Sequence, residues 1–489
     1  MKRYLSAPFL VLFIFILSCS DKSQSTFEPS LNILATIGEK SITVNDFIKR
    51  CEYVPRPNYC KNNNYIHKKI VLNSLIAEKI LSIEFEKNRL TYTPAQENLI
   101  NGQKEQAMRQ MMLKIHGFEK VVLDSKQVNA SSKLINRTYD VSFVLINDKQ
   151  KERVNQNSIQ TVIDIKNLLK NSAGLSQKTI SINDKMPIEI KRILFFSDPK
   201  KGELFGPIYL SNNKNMYFEI QKWNTKVLVT GKQKEQSLSD SRKMYYELYA
   251  LKKYEKYVAS LMRNKSINFQ ADVFSSFSNK LSKIFLIERE KKEAVIQGSI
   301  WGESEETNFV SFDDLDEIKK DILLTFDNEL FTVADVLKMI KKHPLVFRNK
   351  DIIPSMFSNE LKYALVDLFR DNEITKEAYK NGLDKMFDIS QVEKKWKDHI
   401  AASIIKNKLN KKTLNKDEFF SSLVTKIDSL QKQYSNIIKI DTDKFEKIKI
   451  TNIDMNVVFT NQAYPIFEPA FPILTDDHIL DYGQKYNFN

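Results

Sequence analysis

The sequence of 489 residues predicts an α+β chain of several domains, mainly helical and internally duplicated. Residues 33 to 47 read ILATIGEKSITVNDF, and residues 322 to 336 read ILLTFDNELFTVADV. Thr36, Thr43, Val44 and Asp46 return as Thr325, Thr332, Val333 and Asp335 at one constant offset, while apolar Ile42 and Phe47 are answered by Phe331 and Val336. A long amphipathic helix follows each copy, and strand-like stretches at 139–146 and 215–223 lie between the copies.

The N-terminus belongs to targeting, not to the fold. Lys2 and Arg3 precede an apolar run from Pro8 to Leu17 that is too short to span a bilayer. It ends in Ile16-Leu17-Ser18-Cys19, which resembles the lipobox of bacterial lipoproteins. That resemblance implies a signal peptide at 1–18, a diacylglycerol on Cys19 and a lipidated linker at 19–31; an ordinary secretory signal with a chance cysteine is the alternative. Ser20 follows where an inner-membrane retention signal would have aspartate, so the expected location is the outer membrane, lipid-anchored on its periplasmic side.

No other stretch offers about 18 consecutive apolar residues. With 42% hydrophobic and 28% charged residues the remainder can bury real cores, and it is too long for one ordinary domain. The formal charge of +14 would suit nucleic acid in a cytoplasmic protein, but the lysines form no long basic block. They read as a solvated surface with no nucleic-acid partner, or as a weak attraction to anionic lipid headgroups. Cys51 and Cys60 bound the segment CEYVPRPNYC, whose two prolines favour a turned loop. In an oxidising compartment that spacing predicts a disulfide; a metal would need more ligands than nearby His67 supplies.

Each copy begins as a strand (33–37 in the first), turns at Gly38-Glu39-Lys40, and reaches Thr43 as a helix N-cap. Thr43 with Asp46, and Thr332 with Asp335, form Thr-x-x-Asp capping pairs. The first long helix carries an apolar stripe of Leu72, Leu75, Ile76, Ile80, Ile83 and Phe85. The second keeps the order with Leu365, Leu368, Phe369, Ile374 and Ala378.

Ile42, Thr43, Asp46 and Phe47, then Leu72, Leu75, Ile76, Lys79, Ile80, Leu81, Glu84, Lys87 and Leu90, together resemble the N-terminal chaperone domain of the SurA and PrsA type parvulin foldases. The resemblance covers 32–270 well and 321–412 moderately. It implies a chaperone module at 32–137, a parvulin-like isomerase domain at 138–226, a returning helix within 227–270, a linker at 271–320, a second chaperone-like module at 321–412, and at 413–489 a truncated parvulin-like domain with a C-terminal strap. Lys201 to Ile208 (KGELFGPI) and the strand Asn215 to Trp223 match the isomerase region.

Active parvulins carry one histidine in the first strand and one in the last. Here Phe143 stands at the first position and Tyr217 or Phe218 at the second, and no histidine lies between His116 and His343. The domain is therefore expected to be degenerate, with no catalytic residue. His116, His343, His399 and His478 are scattered singly and read as structural or solvated. Glu303-Ser304-Glu305-Glu306 and Asp313-Asp314 read as a hydrated linker. No phosphate loop, dinucleotide fingerprint, nucleophile elbow or H-E-x-x-H occurs, so neither metal nor cofactor is expected and nothing positive points to an enzyme. The strand-like 437–440 and 448–450 and the proline-broken strap 463–474, packed on its own domain or docking a partner, close the chain.

These readings together lead to a membrane-tethered periplasmic chaperone that binds unfolded outer-membrane or exported proteins without isomerase catalysis. The competing expectations are a structural accessory lipoprotein of an outer-membrane assembly or secretion complex, and an active peptidyl-prolyl isomerase, which the missing histidines disfavour.

Overall fold

The structure is a computed structural model that describes residues 32–62, 64–147, 176–184, 186–210, 214–300, 313–348, 352–409, 415–450, 464 and 468–480. The leader, Cys19 and the acidic run Glu303 to Glu306 lie outside the described residues. The chain is α+β, largely helical, and its described residues form three small antiparallel sheets.

Both copies of the repeated sentence fold alike. Strands β1 (Ile33–Ile37) and β2 (Lys40–Thr43) form a hairpin, with Gly38 at a φ of 58° in the turn. In the second copy β8 (Ile322–Phe326) and β9 (Glu329–Thr332) turn through Asp327 and Asn328, both at positive φ. Thr43 caps α1 (Val44–Glu52) by accepting the Asp46 N–H at 3.0 Å; Thr332 caps α8 (Val333–Lys342) through the Asp335 N–H at 3.2 Å. Two long helices follow each hairpin: α2 (Tyr65–Lys87) and α3 (Pro94–His116) in the first half, α9 (Pro354–Lys380) and α10 (Phe387–Leu409) in the second.

Between the halves, α4 (Ser125–Leu134) leads into β3 (Arg137–Asn147), β4 (Ser176–Ile180), α5 (Ile188–Phe196), β5 (Leu204–Leu210) and β6 (Lys214–Thr225). These strands form an antiparallel sheet in the order β4-β3-β6-β5 with its own core around Tyr139, Phe195 and Phe218. The chain then returns along α6 (Gly231–Leu261), capped by Thr230, which packs back on α3 and α4.

Neither hairpin completes its own sheet. The third strand of the second sheet is β7 (Ile267–Phe269), from the end of the first half; the third strand of the first sheet is β10 (Ile438–Ile440), from the end of the second half. The registers coincide: Ala35 opposes Ile440 and Ile37 opposes Ile438, as Leu324 opposes Phe269 and Phe326 opposes Ile267. The flanking bonds repeat too. Asp441 donates its N–H to Leu34 O at 2.8 Å and Gln270 to Leu323 O at 3.0 Å, while Gly38 donates to Ile437 O and Asp327 to Ser266 O, both at 3.0 Å. The halves have thus exchanged their closing units: β7 and α7 (Ala271–Ile300) for one, and α11 (Lys416–Gln433), β10 and α12 (Thr442–Lys447) for the other, while α6 stays on its own half.

Burial follows the exchange. The first core joins Leu34, Phe47 and Ile76 to Ala401 and Ile405 of α10, to Leu423 and Ile427 of α11, and to Ile440 and Phe445. The second joins Leu323, Phe357 and Phe369 to Phe274, Phe277 and Leu281 of α7. A third cluster binds Met108 and Met112 of α3 to Ile374 and Ala378 of α9. At the crossing of α3 with α8, a Cβ on Gly102 would collide with the Lys342 carbonyl, so this contact admits only glycine.

Two expectations are corrected here. Residues 416–450 do not begin a truncated parvulin-like domain; they complete the first sheet and core, because Ile438 and Ile440 find their unpaired edge at β1. Residues 271–320 are not simply a linker, since the apolar spacing of Phe274, Phe277 and Leu281 makes one face of α7 part of the second core, and Leu315 is buried as well. It follows that a chain cut once within 301–312 should run as a single particle under native conditions, since both sheets bridge the cut. The segment 20–300 made alone should keep the 137–225 sheet but leave β1, β2 and α2 unprotected in hydrogen exchange; protected β1, β2 and α2 in a monomeric 20–300 would show that the exchange is dispensable.

Candidate functional site

The sheet between the halves brings the two sequence-predicted positions together. Phe143 on β3 lies directly opposite Phe218 on β6, and Val144 opposite Tyr217. Phe218 is fully buried and stacks on Phe205 with ring centroids 5.3 Å apart; Phe143 packs on the same core. Because side chains alternate along a strand, Tyr217 turns to the other face, where it packs with Ile146, Val144 and Leu204. Paired phenylalanines offer no proton donor or acceptor, so this pair cannot perform acid–base chemistry.

Cys51 and Cys60 are thiols here, where a disulfide was expected. Both are sealed in the first core, and Cys60 Sγ lies 3.6 Å from Pro57 O. Burial pushes the Cys51 thiol up to about 12, which leaves little of the thiolate that disulfide exchange requires. The strap, expected to pack on its own domain or to dock a partner, joins the first core through Phe471 and Leu474 and reaches the first half: Tyr464 is buried against Tyr254 of α6, with hydroxyls 3.1 Å apart, and Ser74 of α2 donates to Thr475 O.

The concentration of buried charge lies where the halves meet, a feature the linear sequence did not reveal. Arg50 of α1 grips Glu78 of α2 through two nitrogens at 2.7 and 3.3 Å, and both residues are 1% exposed. His399 of α10 reaches the same carboxylate at 3.0 Å. One residue away, Asp398 receives Lys79 at 2.7 Å, Ser82 at 2.7 Å and Lys40 at 2.8 Å. Lys395 binds Asp46 at 3.2 Å and Glu468 of the strap at 2.5 Å, while Arg50 also donates to Ala470 O. Every one of these contacts except Arg50–Glu78 crosses between remote parts of the chain.

The other half answers in kind. Asp371 stands as far from Glu78 in sequence as Leu368 from Leu75, and Glu105 as far from Asp398. His343 meets Asp371 at 3.2 Å and Arg370 meets it at 2.7 Å. Glu105 of α3 takes the Tyr379 hydroxyl at 3.1 Å and pairs with Lys342, so each half's second long helix offers a buried acid to the other half. Thus two of the histidines expected to be merely structural or solvated sit on buried carboxylates at the junction; His116 instead stacks on Tyr257.

A cavity of about 10 Å³ lies among Ser41, Asp46, Arg50, Glu78, Lys79 and Lys395, room for about one water. Arg50 Nε, on its wall, has no hydrogen-bond partner among the described residues. Among the described residues no cluster of three or more histidine, cysteine or acidic side chains is placed to hold a metal. The arrangement ties the two halves together through buried charge. No family model matches the chain, and no curated protein or solved structure matches it.

Burial alone would push the Glu78 carboxyl up; the Arg50 charge and the His399 hydrogen bond outweigh it and hold the group at about 2, against an ordinary value of 4.5. Asp398, Asp46 and Asp371 are depressed in the same sense, each against its own burial, chiefly by Lys79, by Lys395 and by His343. A carboxylate lowered by folding contributes stability above its unfolded value and loses it as pH falls through the folded one. Stability should therefore decline as pH drops from about 4.5 toward 2, by up to about 3 kcal/mol for Glu78. Arg50→Ala should cost about 3–5 kcal/mol at neutral pH by stranding Glu78. In that variant Glu78→Met should restore part of the loss, as read by urea denaturation; a double variant no better than Arg50→Ala would count against a clamp.

Proposed function

We propose that the protein is a membrane-tethered, non-catalytic chaperone of the parvulin-foldase type that holds unfolded outer-membrane or exported proteins. The observation that carries the reading is the cross-strand pair Phe143 and Phe218. A small antiparallel sheet stands between α4 and the returning α6, where the resemblance expects an isomerase domain, and Phe143 faces Phe218 across the strands with Tyr217, the other candidate for the second histidine position, on the opposite face. That is the pattern of a scaffold kept after its chemistry is gone. A lipid on Cys19 would keep the protein at the outer membrane.

The space between the halves is filled by the junction, so clients would lie on outer faces and not in a cleft between modules. The interlocked halves also favour a second reading, a rigid accessory subunit of an outer-membrane assembly or secretion complex. One set of measurements separates them. The purified protein should delay aggregation of an unfolded outer-membrane protein and leave the rate of prolyl-peptide isomerisation at its slow uncatalysed value of tens to hundreds of seconds. Acceleration of isomerisation would overturn the non-catalytic reading. Failure to delay aggregation, combined with one partner retained at fixed stoichiometry in mild detergent, would favour the accessory subunit.

A further inference from the structure

The connection from β6 to α6 presents an anomaly. Val227 and Val229 are 79% and 80% exposed, although nothing about the segment is loose. The Lys226 N–H donates to Asn136 O at 3.0 Å, the Val229 N–H donates to Gln233 Oε1 at 2.9 Å, and Thr230 forms a capping box with Gln233. The fold therefore holds two apolar side chains in water on a fixed backbone, where a partner that covered them would gain their burial. Charge is just as one-sided. From Ile220 to Lys234 the sequence has no acid and four lysines. Lys222 reaches Asp140 at 3.5 Å, whereas Lys226, Lys232 and Lys234 are exposed with no ion pair among the described residues. Trp223, beneath the Arg137 guanidinium at 4.8 Å, sits at the base of the segment.

From this juxtaposition we infer that residues 226–234 are a contact site for an anionic phospholipid surface. The valines enter the boundary between headgroups and acyl chains, and the three lysines meet lipid phosphates. A nucleic acid or a purely acidic chain such as polyglutamate would satisfy the lysines but would not reward two bare valines, and a neutral bilayer would reward the valines alone. The connection at the far end of α4 repeats the arrangement in weaker form: Val122 and Leu123 are exposed between Lys120 and Lys126, with Glu119 and Asp124 offsetting the charge. The site needs neither the proposed chaperone role nor the lipid on Cys19.

The test uses the full chain and vesicles of phosphatidylcholine, with or without one part in three of phosphatidylglycerol, read by flotation. Any contribution of the leader is common to all variants, so the anionic-to-neutral binding ratio is the measured quantity. Replacing the three lysines together (K226Q/K232Q/K234Q) should lower that ratio about tenfold or more. The same charge change at exposed Lys320, Lys338 and Lys341 should leave it within about twofold. Val227→Ser with Val229→Ser, made separately so that either variant reads out alone, should weaken binding to anionic vesicles and leave the salt dependence intact. Equal losses from the two lysine sets would reduce the effect to net charge and overturn the site. Unchanged vesicle binding, with loss of binding only to polyglutamate, would assign the lysines to an acidic polypeptide instead.

Discussion

The pairing of β1 with β10 is the constraint from which the remaining architecture follows. A two-stranded hairpin in water is marginal, and each copy of the repeated sentence encodes only two strands before its helices begin. The third strand arrives from the far half in both cases, so neither half can bury its apolar sheet face alone. Once β10 is seated, α11 and α12 must lie over the first hairpin, α10 is drawn against α2, and the reciprocal seating of β7 draws α7 over the second hairpin.

Apolar burial supplies the stability of this arrangement, and buried charge supplies its selectivity. Each ion brought into the junction loses hydration worth several kcal/mol, which its partners roughly return. The balance turns sharply unfavourable when one partner is missing, since a lone buried carboxylate such as Glu78 or Asp398 has nowhere to go. Laying α2 and α3 against α9 and α10 in a shifted register would leave several such groups stranded at once. Asp398 of α10 takes Lys79 and Lys40 from the first half, Glu105 of α3 takes Lys342 from the second, and Glu78, already held by Arg50, takes His399, so these acids are fully paired only when the two halves lie together as they do here. The strap adds Glu468 to the same network and closes over it.

Local signals in the sequence were reliable because their causes are local. The Thr43–Asp46 and Thr332–Asp335 caps, the hairpin turns, the long amphipathic helices and the returning α6 depend on residues a few positions apart, and they form as the spacing predicts. The strand character of Ile438 to Ile440 was also legible, but its partner was not, since strand pairing leaves no mark on the sequence of either member. Likewise Phe143 and Phe218 could be named from strand position, and the register places them opposite each other. The junction was invisible: Glu78 and His399, or Lys79 and Asp398, are ordinary helix residues until two halves of the chain are laid together. The buried cysteines show the converse, a spacing that suggested a bridge in a loop that the core seals.

Native-state hydrogen exchange tests the central claim most directly, because it reports which backbone groups open together. If the exchanged closing units are integral to both cores, the amides of β1, β10, β7 and β8 should exchange with one free energy equal to that of global unfolding, and should respond identically to low denaturant. Amides of α11 and β10 that exchange at a clearly lower free energy, while β1, β2 and α2 stay protected, would contradict the account and make the first half a domain in its own right.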